Sequence, residues 1–441
     1  MPPPVRNIGT AADAQKIIDA YVIEGDEKVV ERCKEVLNGF QPCGELSRLI
    51  DFGRIDKKGA NQLLRKGFAP EFVRRLTSGD MLNRRVAWLE NCLRATTSVS
   101  TEEREKAISE LGKLSSPRSI EIIVELMSNR NKTKQMRIAA AGALSHTPDI
   151  GGAIAAGLMR VSMAKGDDKD VRLEAIETLA HRGHIESGIQ HYKTQLLNLI
   201  KIMQDRSEDD DVRSAAISRW GGHDAFAERM LFPIAARMMM DKSEKKSVRL
   251  TLLGGNWRTR AKGRNIDFDA LFIKVMQDKS EYKNIRLQAM HSLVTYNRPP
   301  HDYLSESFRT SILPAFEKLL KDKSEENEVR LASLEMFIEI WKNAFVRYGD
   351  IPVAQRKALW ELARKAYATL AEVLKDTRDD KRIRSSVAAT FGDSHWTVKG
   401  RVTAEAANAL LLASRDQDPM VRNAATKALS KVRVISVGPG I

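Results

Sequence analysis

The chain has 441 residues, of which 42% are hydrophobic and 29% charged, a composition too apolar for a disordered chain. Its 72 Lys and Arg against 58 Asp and Glu give a net charge of +14, which permits nucleic acid, anionic membrane or acidic protein as a partner. Three cysteines imply no disulfide framework, and no stretch has the length of a membrane span or the apolar core of a signal peptide. We therefore expect a cytoplasmic protein, although a mature chain cut from a longer secreted precursor stays open.

Residues 1–95 precede the regular part of the sequence. Three prolines at positions 2–4 indicate a loose tail, apolar residues recur at helical spacing over 12–37, and glycines punctuate 38–80. We predict a helical N-terminal cap over 1–95, followed by a short polar linker. The next helix is predicted to begin at Thr101, because Glu102 and Glu103 would interact favourably with the dipole of its first turn.

One sequence phrase returns along residues 96–434. Its clearest copy, from Asp322 to Arg330, reads DKSEENEVR, and it separates an apolar stretch from an Ala-rich one. The Arg follows the Asp by eight positions in five copies: Asp205 and Arg213, Asp241 and Arg249, Asp278 and Arg286, Asp322 and Arg330, Asp376 and Arg384. Looser copies contain Arg137, Arg172 and Arg422, and successive Arg residues are 35 to 54 positions apart. Such self-similarity predicts a solenoid, here of about eight helix pairs over 96–434 with a tail at 435–441.

The second helix of each pair, helix B, opens at the apolar residue before the Arg, which we number position zero. Positions zero, four and eight form one apolar face with a small middle residue, as in Ile285, Ala289 and Leu293. Positions three and seven, such as Gln288 and Ser292, are expected to be exposed on the inner wall. They include a single cation, which favours protein recognition over a phosphate-tracking groove.

An apolar helix, an Asp, and then Val-Arg opening an Ala-rich helix resemble the HEAT repeat over residues 101–434. The resemblance implies an all-α fold in which antiparallel helix pairs stack into an α-α superhelix. It also implies a ladder of Asp and Arg between adjacent repeats, so the ten residues of the five copies above are expected to be structural. A weaker resemblance, over 313–332, is to the helical domain of vitellogenin-type lipid-transfer proteins and implies a lipid-associated role.

Two windows hold most of the positive charge, 46–95 with +6 and 242–286 with +7. Cations beside an aromatic ring can bind phosphates or stack on a base, although a solvated loop is the alternative interpretation. We select these residues as candidates for binding an anion or partner: Trp257, Arg258, Arg260, Lys262, Arg264, Arg74, Arg75, Arg84 and Arg85.

The sequence gives little support for catalysis. His184 and Glu186, between His181 and His191, are two positions apart and would not share a helical face, so no metal site is predicted. Trp220, Asp224 and Trp257 could imitate the Asp and Trp residues of HEAT-like alkylpurine DNA glycosylases, but Trp220 occupies a core position of its helix. We expect no enzyme activity and no cofactor.

The sequence thus predicts a non-catalytic scaffold or adaptor that holds a protein partner on its concave face or on inserted loops near 296–308 and 345–356. The alternative is a nucleic-acid-binding solenoid that uses windows 46–95 and 242–286. A lipid-associated role is the second alternative.

Overall fold

A computed structural model describes residues 70, 80–95, 99–114, 116–145, 147, 152–182, 189–218, 225–255, 266–295, 308–346, 353–393 and 401–434. Two compact units divide the chain, Met1–Gly222 and His223–Ile441.

The first unit contains antiparallel helix pairs in two layers. Its helices are α1 Asp80–Arg94, α2 Thr101–Leu114, α3 Pro117–Ser128, α4 Lys134–Ala143, α5 Ala153–Ser162, α6 Lys169–Arg182, α7 Ile189–Gln204 and α8 Asp210–Ser218. The first helices of the pairs, the A helices α3, α5 and α7, pack side by side. The B helices α4, α6 and α8 form the second layer.

Local sequence sets where these helices begin and how closely they pack. Ser116 caps α3 through a reciprocal capping box with Ser119, and Pro117 occupies the first turn, where no backbone donor is needed. A Cβ added at Gly157 would lie 2.6 Å from a Val124 methyl, so glycine is required where α5 meets α3.

The second unit repeats the arrangement. Its elements are α9 Ala225–Met240, α10 Lys246–Leu253, α11 Phe268–Gln277, α12 Lys283–Thr295, a π-helical turn Phe308–Ile312, α13 Leu313–Lys321, α14 Asn327–Val346, α15 Val353–Lys375, α16 Lys381–Phe391, β1 Arg401–Val402, α17 Ala404–Ala413, α18 Pro419–Leu429 and β2 Arg433–Val434. The predicted all-α class is confirmed. The two-residue parallel pair β1 and β2 was not anticipated.

The predicted face of the B helices forms the core. Positions zero and four are buried in every described B helix from α4 to α18. In α14 position four is Ser333, whose hydroxyl donates to the Phe316 carbonyl oxygen at 3.0 Å. In the first unit the residues at these positions in α4 and α6 join the apolar residues of α1, α2, α3 and α5 in one cluster, and those of α8 form a second cluster with Ile176, Leu199 and Ile202.

The expectation that positions three and seven face solvent is wrong for position seven. Thr178 and Ser292 are buried there. The Thr178 hydroxyl donates to the Ala141 carbonyl oxygen at 3.2 Å, and the Ser292 hydroxyl to the Leu253 carbonyl oxygen at 2.6 Å. Adjacent B helices therefore pack through position seven. Position six carries the exposed residues instead, such as Glu177 and His291.

The predicted division at 95/96 stays a prediction, since most of the cap and the tail at 435–441 lie outside the described residues. The last helix of the predicted cap, α1, shares its core with α2: Val86, Leu89 and Leu93 belong to the same apolar cluster as Leu111. Among the helices that the structure describes, none has both the length and the apolar character needed to cross a bilayer.

Candidate functional site

Seven buried arginines hold the repeats in register. They occupy position one of the B helices: Arg137, Arg172, Arg213, Arg249, Arg286, Arg330 and Arg384, each at most 4% exposed. Each Nε donates to the backbone carbonyl ten residues earlier, at the end of the preceding A helix, as from Arg286 to Met276 at 2.8 Å. The arginine thus satisfies a carbonyl that has no partner within its helix.

The terminal nitrogens of these arginines also bind carboxylates of the following repeat. Arg249 donates to the two Glu281 oxygens at 2.9 and 2.5 Å, and Arg330 to those of Asp379 at 2.6 Å each. The same contact joins Arg137 to Asp167, Arg172 to Glu208, Arg286 to Glu325, and Arg384 to Asp416. The guanidinium therefore ties the end of one A helix to the turn of the next repeat.

These charges determine the ionisation of the buried carboxyls. The hydrogen bonds from Arg172 hold the pKa of Glu208 below its usual value, against the opposing effect of desolvation. The pKa of Asp167 is lowered by Arg137 in the same way. Both carboxylates stay charged at neutral pH, as their arginine partners require.

The ladder of Asp and Arg implied by the family resemblance needs a correction. The arginines have the buried positions expected of a ladder, but their partners are acids that lie three positions after the predicted aspartates. The pairs are Arg172 with Glu208, Arg249 with Glu281, Arg286 with Glu325, and Arg330 with Asp379. The corresponding aspartates are Asp205, Asp278, Asp322 and Asp376. The aspartates lie in the more exposed part of the turn. There Asp278 accepts hydrogen bonds from the backbone and hydroxyl of Ser280 at 3.0 and 2.6 Å, and Asp241 accepts the same bonds from Ser243.

A second ladder, formed by lysines, uses the aspartates. Lys242 Nζ lies 2.5 Å from a carboxylate oxygen of Asp278, and Lys279 Nζ 2.7 Å from one of Asp322. Lys165 pairs with Asp205 at 2.5 Å, and Lys323 pairs with Asp376. Hydrogen bonds from these lysines and from the turn serines lower the pKa of Asp205, Asp278 and Asp322 to about 2.

These ion pairs reduce the number of free cations in the basic window 242–286. Five of its twelve Lys and Arg residues bind acids, namely Lys242, Arg249, Lys279, Lys283 and Arg286. The partners of the last three, Asp322, Glu328 and Glu325, lie beyond the window. Counting charge along the sequence therefore overstates the free positive surface of this segment.

Of the predicted anion-binding residues, the structure describes the side chain of Arg85 alone. Trp257, Arg258, Arg260, Lys262, Arg264, Arg74 and Arg75 lie outside the described residues, as do Trp220, Asp224, His184, Glu186 and the side chains of Arg84 and His191. Arg85 is buried where α1 packs on α2, and its Nε and Nη2 donate to Glu110 at 2.6 and 2.7 Å. Its guanidinium also lies 4.6 Å from the ring centroid of Trp88. Contrary to our expectation, Arg85 does not contribute to an exposed basic group.

The accessible part of the B-helix layer combines apolar and polar rows. In the second unit Leu250, Leu287 and Leu331 occupy position two of consecutive B helices and are half-buried. Beside them lie the position-three residues Thr251, Gln288 and Ala332 and the position-six residues Gly254, His291 and Glu335. We call these nine residues the B surface. At positions two, three and six of the described B helices of both units, the single Lys or Arg is Lys427.

A basic row on the A helices was missed by the sequence analysis. Four positions before the first residue of each phrase, five consecutive A helices carry an exposed cation: Arg160, Lys201, Arg237, Lys274 and Lys318. Aligning the copies at their arginines would have revealed it. No group of three or more His, Cys, Asp or Glu within the described ranges could hold a metal ion.

Comparison with known proteins identifies the repeat. Residues 86–180 match the family model described as HEAT repeats. The chain thus contains HEAT repeats over residues 86–180. The buried arginine contacts of these repeats recur beyond the matched segment, as far as Arg384. No curated protein sequence matches the chain significantly.

Several solved structures are similar in outline. A Kap95p complex with RanGDP is 11% identical with a TM-score of 0.46, covering 95% of this chain and 55% of its own. Importin beta is 12% identical with a TM-score of 0.45, covering 96% and 51%. Human deoxyhypusine hydroxylase is 16% identical with a TM-score of 0.26, covering 80% and 98%. The chain thus spans about half the length of the first two, and TM-scores below 0.5 support no functional argument.

Proposed function

We propose that this HEAT-repeat protein is a non-catalytic scaffold that binds a protein partner through the B surface. The observation that carries the proposal is the row of half-buried leucines, Leu250, Leu287 and Leu331, at one position of three consecutive B helices. Gln288, His291 and the other polar residues of the B surface lie beside them. Protein interfaces combine an apolar centre with a polar rim in this way.

The composition of the B surface disfavours a phosphate backbone as its ligand. Nucleic-acid binding needs Lys or Arg repeated along a surface, and all nine residues of the B surface lack a positive charge apart from any carried by His291. The nucleic-acid alternative keeps its windows 46–95 and 242–286. Trp257 to Arg264, the side chain of Arg84 and, apart from residue 70, residues 46–79 lie outside the described residues. Nothing in the described part of the chain favours the lipid-associated alternative, and a cytoplasmic location stays a prediction.

The test compares two doubly substituted variants of the full chain. Leu287→Glu with Leu331→Glu places two charges in the B surface, whereas Leu411→Glu with Leu412→Glu places two charges on α17, where both leucines are exposed. Each tagged protein is used to capture partners from extracts of the source organism, with and without nuclease, and the bound proteins are identified by mass spectrometry. Circular dichroism establishes that each variant is folded.

We expect the wild type and the α17 variant to retain the same proteins after nuclease treatment, and the B-surface variant to lose them. If the leucine variant unfolds, Gln288→Arg replaces it, because Gln288 is only partly buried and its removal leaves the apolar core intact. Retention of every partner by the B-surface variants, or loss of every partner on nuclease treatment alone, would contradict the proposal.

A further inference from the structure

Within the described part of the chain, the basic row on the A helices forms no contact that would explain it by the packing of the repeats. In the second unit it consists of Arg237 on α9, Lys274 on α11 and Lys318 on α13, which we call the A row. All three side chains are exposed, and none forms an ion pair or hydrogen bond with another described residue. The lysines of the turns differ, since Lys242, Lys279 and Lys323 each bind an aspartate of the following repeat.

Helix stability accounts for only part of the A row. Each cation lies in the last turn of its helix, where a positive charge interacts favourably with the helix dipole. The same position carries an acid, Glu125 in α3 and Glu372 in α15, and these helices form as well. A cation is therefore not required at this position for a repeat to fold, and its recurrence on consecutive helices needs another explanation.

The spacing of the A row fits an extended chain. Neighbouring A helices of this unit pack against each other, and packed helices lie about 8–10 Å apart. An extended polypeptide advances about 3.3 Å per residue, so every third residue meets a new helix. A segment with Asp or Glu at every third position would place one carboxylate beside each of Arg237, Lys274 and Lys318.

The surroundings of the A row disfavour a nucleic acid. One turn before each cation the exposed residue is uncharged, namely Pro233, Ala270 or Pro314. One turn after Lys318 lies Lys321, which binds Glu372. The unpaired cations thus form a row one cation wide, whereas a phosphate backbone calls for a broad basic surface. The described aromatic side chains of these three helices, Phe232, Phe268, Phe272 and Phe316, are buried and offer no face for base stacking.

We propose that the A row binds an extended acidic segment of a partner protein, with a carboxylate at every third residue. The inference goes beyond the proposed function, because the A row belongs to the other helix layer and selects a different partner chemistry from the B surface. Arg160 and Lys201 occupy the same position on α5 and α7 of the first unit and extend the same chemistry there.

The test measures peptide binding by fluorescence anisotropy. The probe is a labelled Gly/Ser peptide of about fifteen residues with Glu at every third position, long enough to pass three helices. A peptide of the same composition with its glutamates clustered at one end, and an oligothymidylate of similar length, are the comparison probes. All titrations use the full chain at ionic strengths below and near about 0.15 M.

Two triple variants carry the same change of net charge. Arg237→Gln, Lys274→Gln and Lys318→Gln neutralise the A row. Arg415→Gln, Lys427→Gln and Lys431→Gln neutralise three other exposed cations of the second unit. A third variant, Lys274→Arg with Lys318→Arg, keeps the charges and separates a loss of binding from a loss of helix stability.

We expect neutralisation of the A row to weaken binding of the spaced peptide about tenfold, the sum of three exposed ion pairs. The control triple variant should change it less than about twofold, and the Arg variant should bind like the wild type. Equal losses in both triple variants, equal affinity for the clustered peptide, or an A-row dependence confined to oligothymidylate would each overturn the proposal. Absence of saturable binding by the wild type would overturn it as well.

Discussion

The buried arginine pairs and the exposed lysine pairs connect the same turns of adjacent repeats. Arg249 and Glu281 lie 2.5 Å apart with side chains 1% and 3% exposed. Lys242 and Asp278 are also 2.5 Å apart, but their side chains are 50% and 34% exposed. Pairs with equal distances therefore differ in their contribution to the free energy of unfolding. An exposed pair contributes little, whereas a buried charge that loses its partner strongly destabilises the fold.

The buried pairs are satisfied on every side. Glu325 accepts from Arg286 and also from the backbone N–H of Glu326 at 2.9 Å, while Arg286 additionally donates to the Met276 carbonyl. The lysine pairs are exposed and add a contact to a turn serine, as in the hydrogen bond from Lys279 to Ser324. If burial rather than distance separates the two ladders, substitutions in the buried pairs should cost more stability than substitutions in the exposed pairs.

Removing one buried partner should have the largest effect. Arg286→Ala leaves the Glu325 carboxylate buried without its cation and the Met276 carbonyl without its donor. We expect a loss of about 3–5 kcal/mol in the free energy of unfolding of the second unit. Urea denaturation followed by circular dichroism measures it, and a change below about 1 kcal/mol would place the pair with the exposed ones.

Replacing both partners should cost much less than removing one. Arg286→Met together with Glu325→Met removes both buried charges and keeps apolar volume between the repeats. Because the desolvation penalty disappears with the charges, we expect this variant to recover most of the stability lost in Arg286→Ala. A double variant as unstable as the single one would show that the carbonyl contact, not charge pairing, dominates.

The lysine ladder should respond to acid. The pKa of Asp278 and of Asp322 is lowered to about 2, chiefly by Lys242 and Lys279, from an ordinary value of 3.8. A lowered carboxyl pKa adds stability that is present above pH 3.8 and lost as the pH falls toward 2. We expect the melting temperature of Asp278→Asn to fall less than that of the wild type across this pH range. The difference should correspond to less than about 1 kcal/mol in the free energy of unfolding, because the carboxyl is accessible to solvent. Parallel curves for variant and wild type would contradict this.

Removing an exposed lysine should have a smaller effect. Lys279→Met breaks the contacts with Asp322 and Ser324. We expect a loss of about 0.2–1 kcal/mol at low ionic strength that vanishes in about 1 M salt, where the Debye length is about 3 Å. A loss that persists in high salt would indicate a buried contribution.

Glu317 offers a carboxyl without a guanidinium partner. Burial raises its pKa, with Lys321 and the hydrogen bond to Thr369 acting in the opposite direction. A raised carboxyl pKa favours the folded state at low pH, and this contribution is lost as the pH rises through the folded pKa. We therefore expect Glu317→Gln to raise the melting temperature slightly at pH 7 and to have less effect at pH 4, as differential scanning calorimetry would show. A lower melting temperature at pH 7 would reverse the assignment.

The sequence was a good guide to the helices and a poor guide to their contacts. Helical periodicity and the fixed position of Arg286 within its phrase predicted the B helices and their buried face. Glu325 belongs to the next copy of the phrase, from Asp322 to Arg330. Its pairing with Arg286 therefore joins two copies and depends on how the repeats stack. The burial of Ser292 likewise follows from the close approach of two B helices, which a single helical pattern does not contain.

The candidate surfaces show the same limit. The A row was visible in the sequence once the copies were aligned. Only the structure shows that Lys274 has no partner among the residues it describes. Lys279 and Arg249 contribute to the same basic window, and both are held by acids. Net charge counted along the chain cannot distinguish these cases.

Two double-mutant cycles test most directly whether buried arginines rather than exposed lysines couple the repeats. One cycle combines Arg286→Met and Glu325→Met, the other Lys279→Met and Asp322→Asn, with unfolding free energies of all variants measured under one condition. The account predicts a coupling energy of about 2–3 kcal/mol for the buried pair and below about 1 kcal/mol for the exposed pair. Equal coupling energies in the two cycles, or a larger one for the lysine pair, would contradict it.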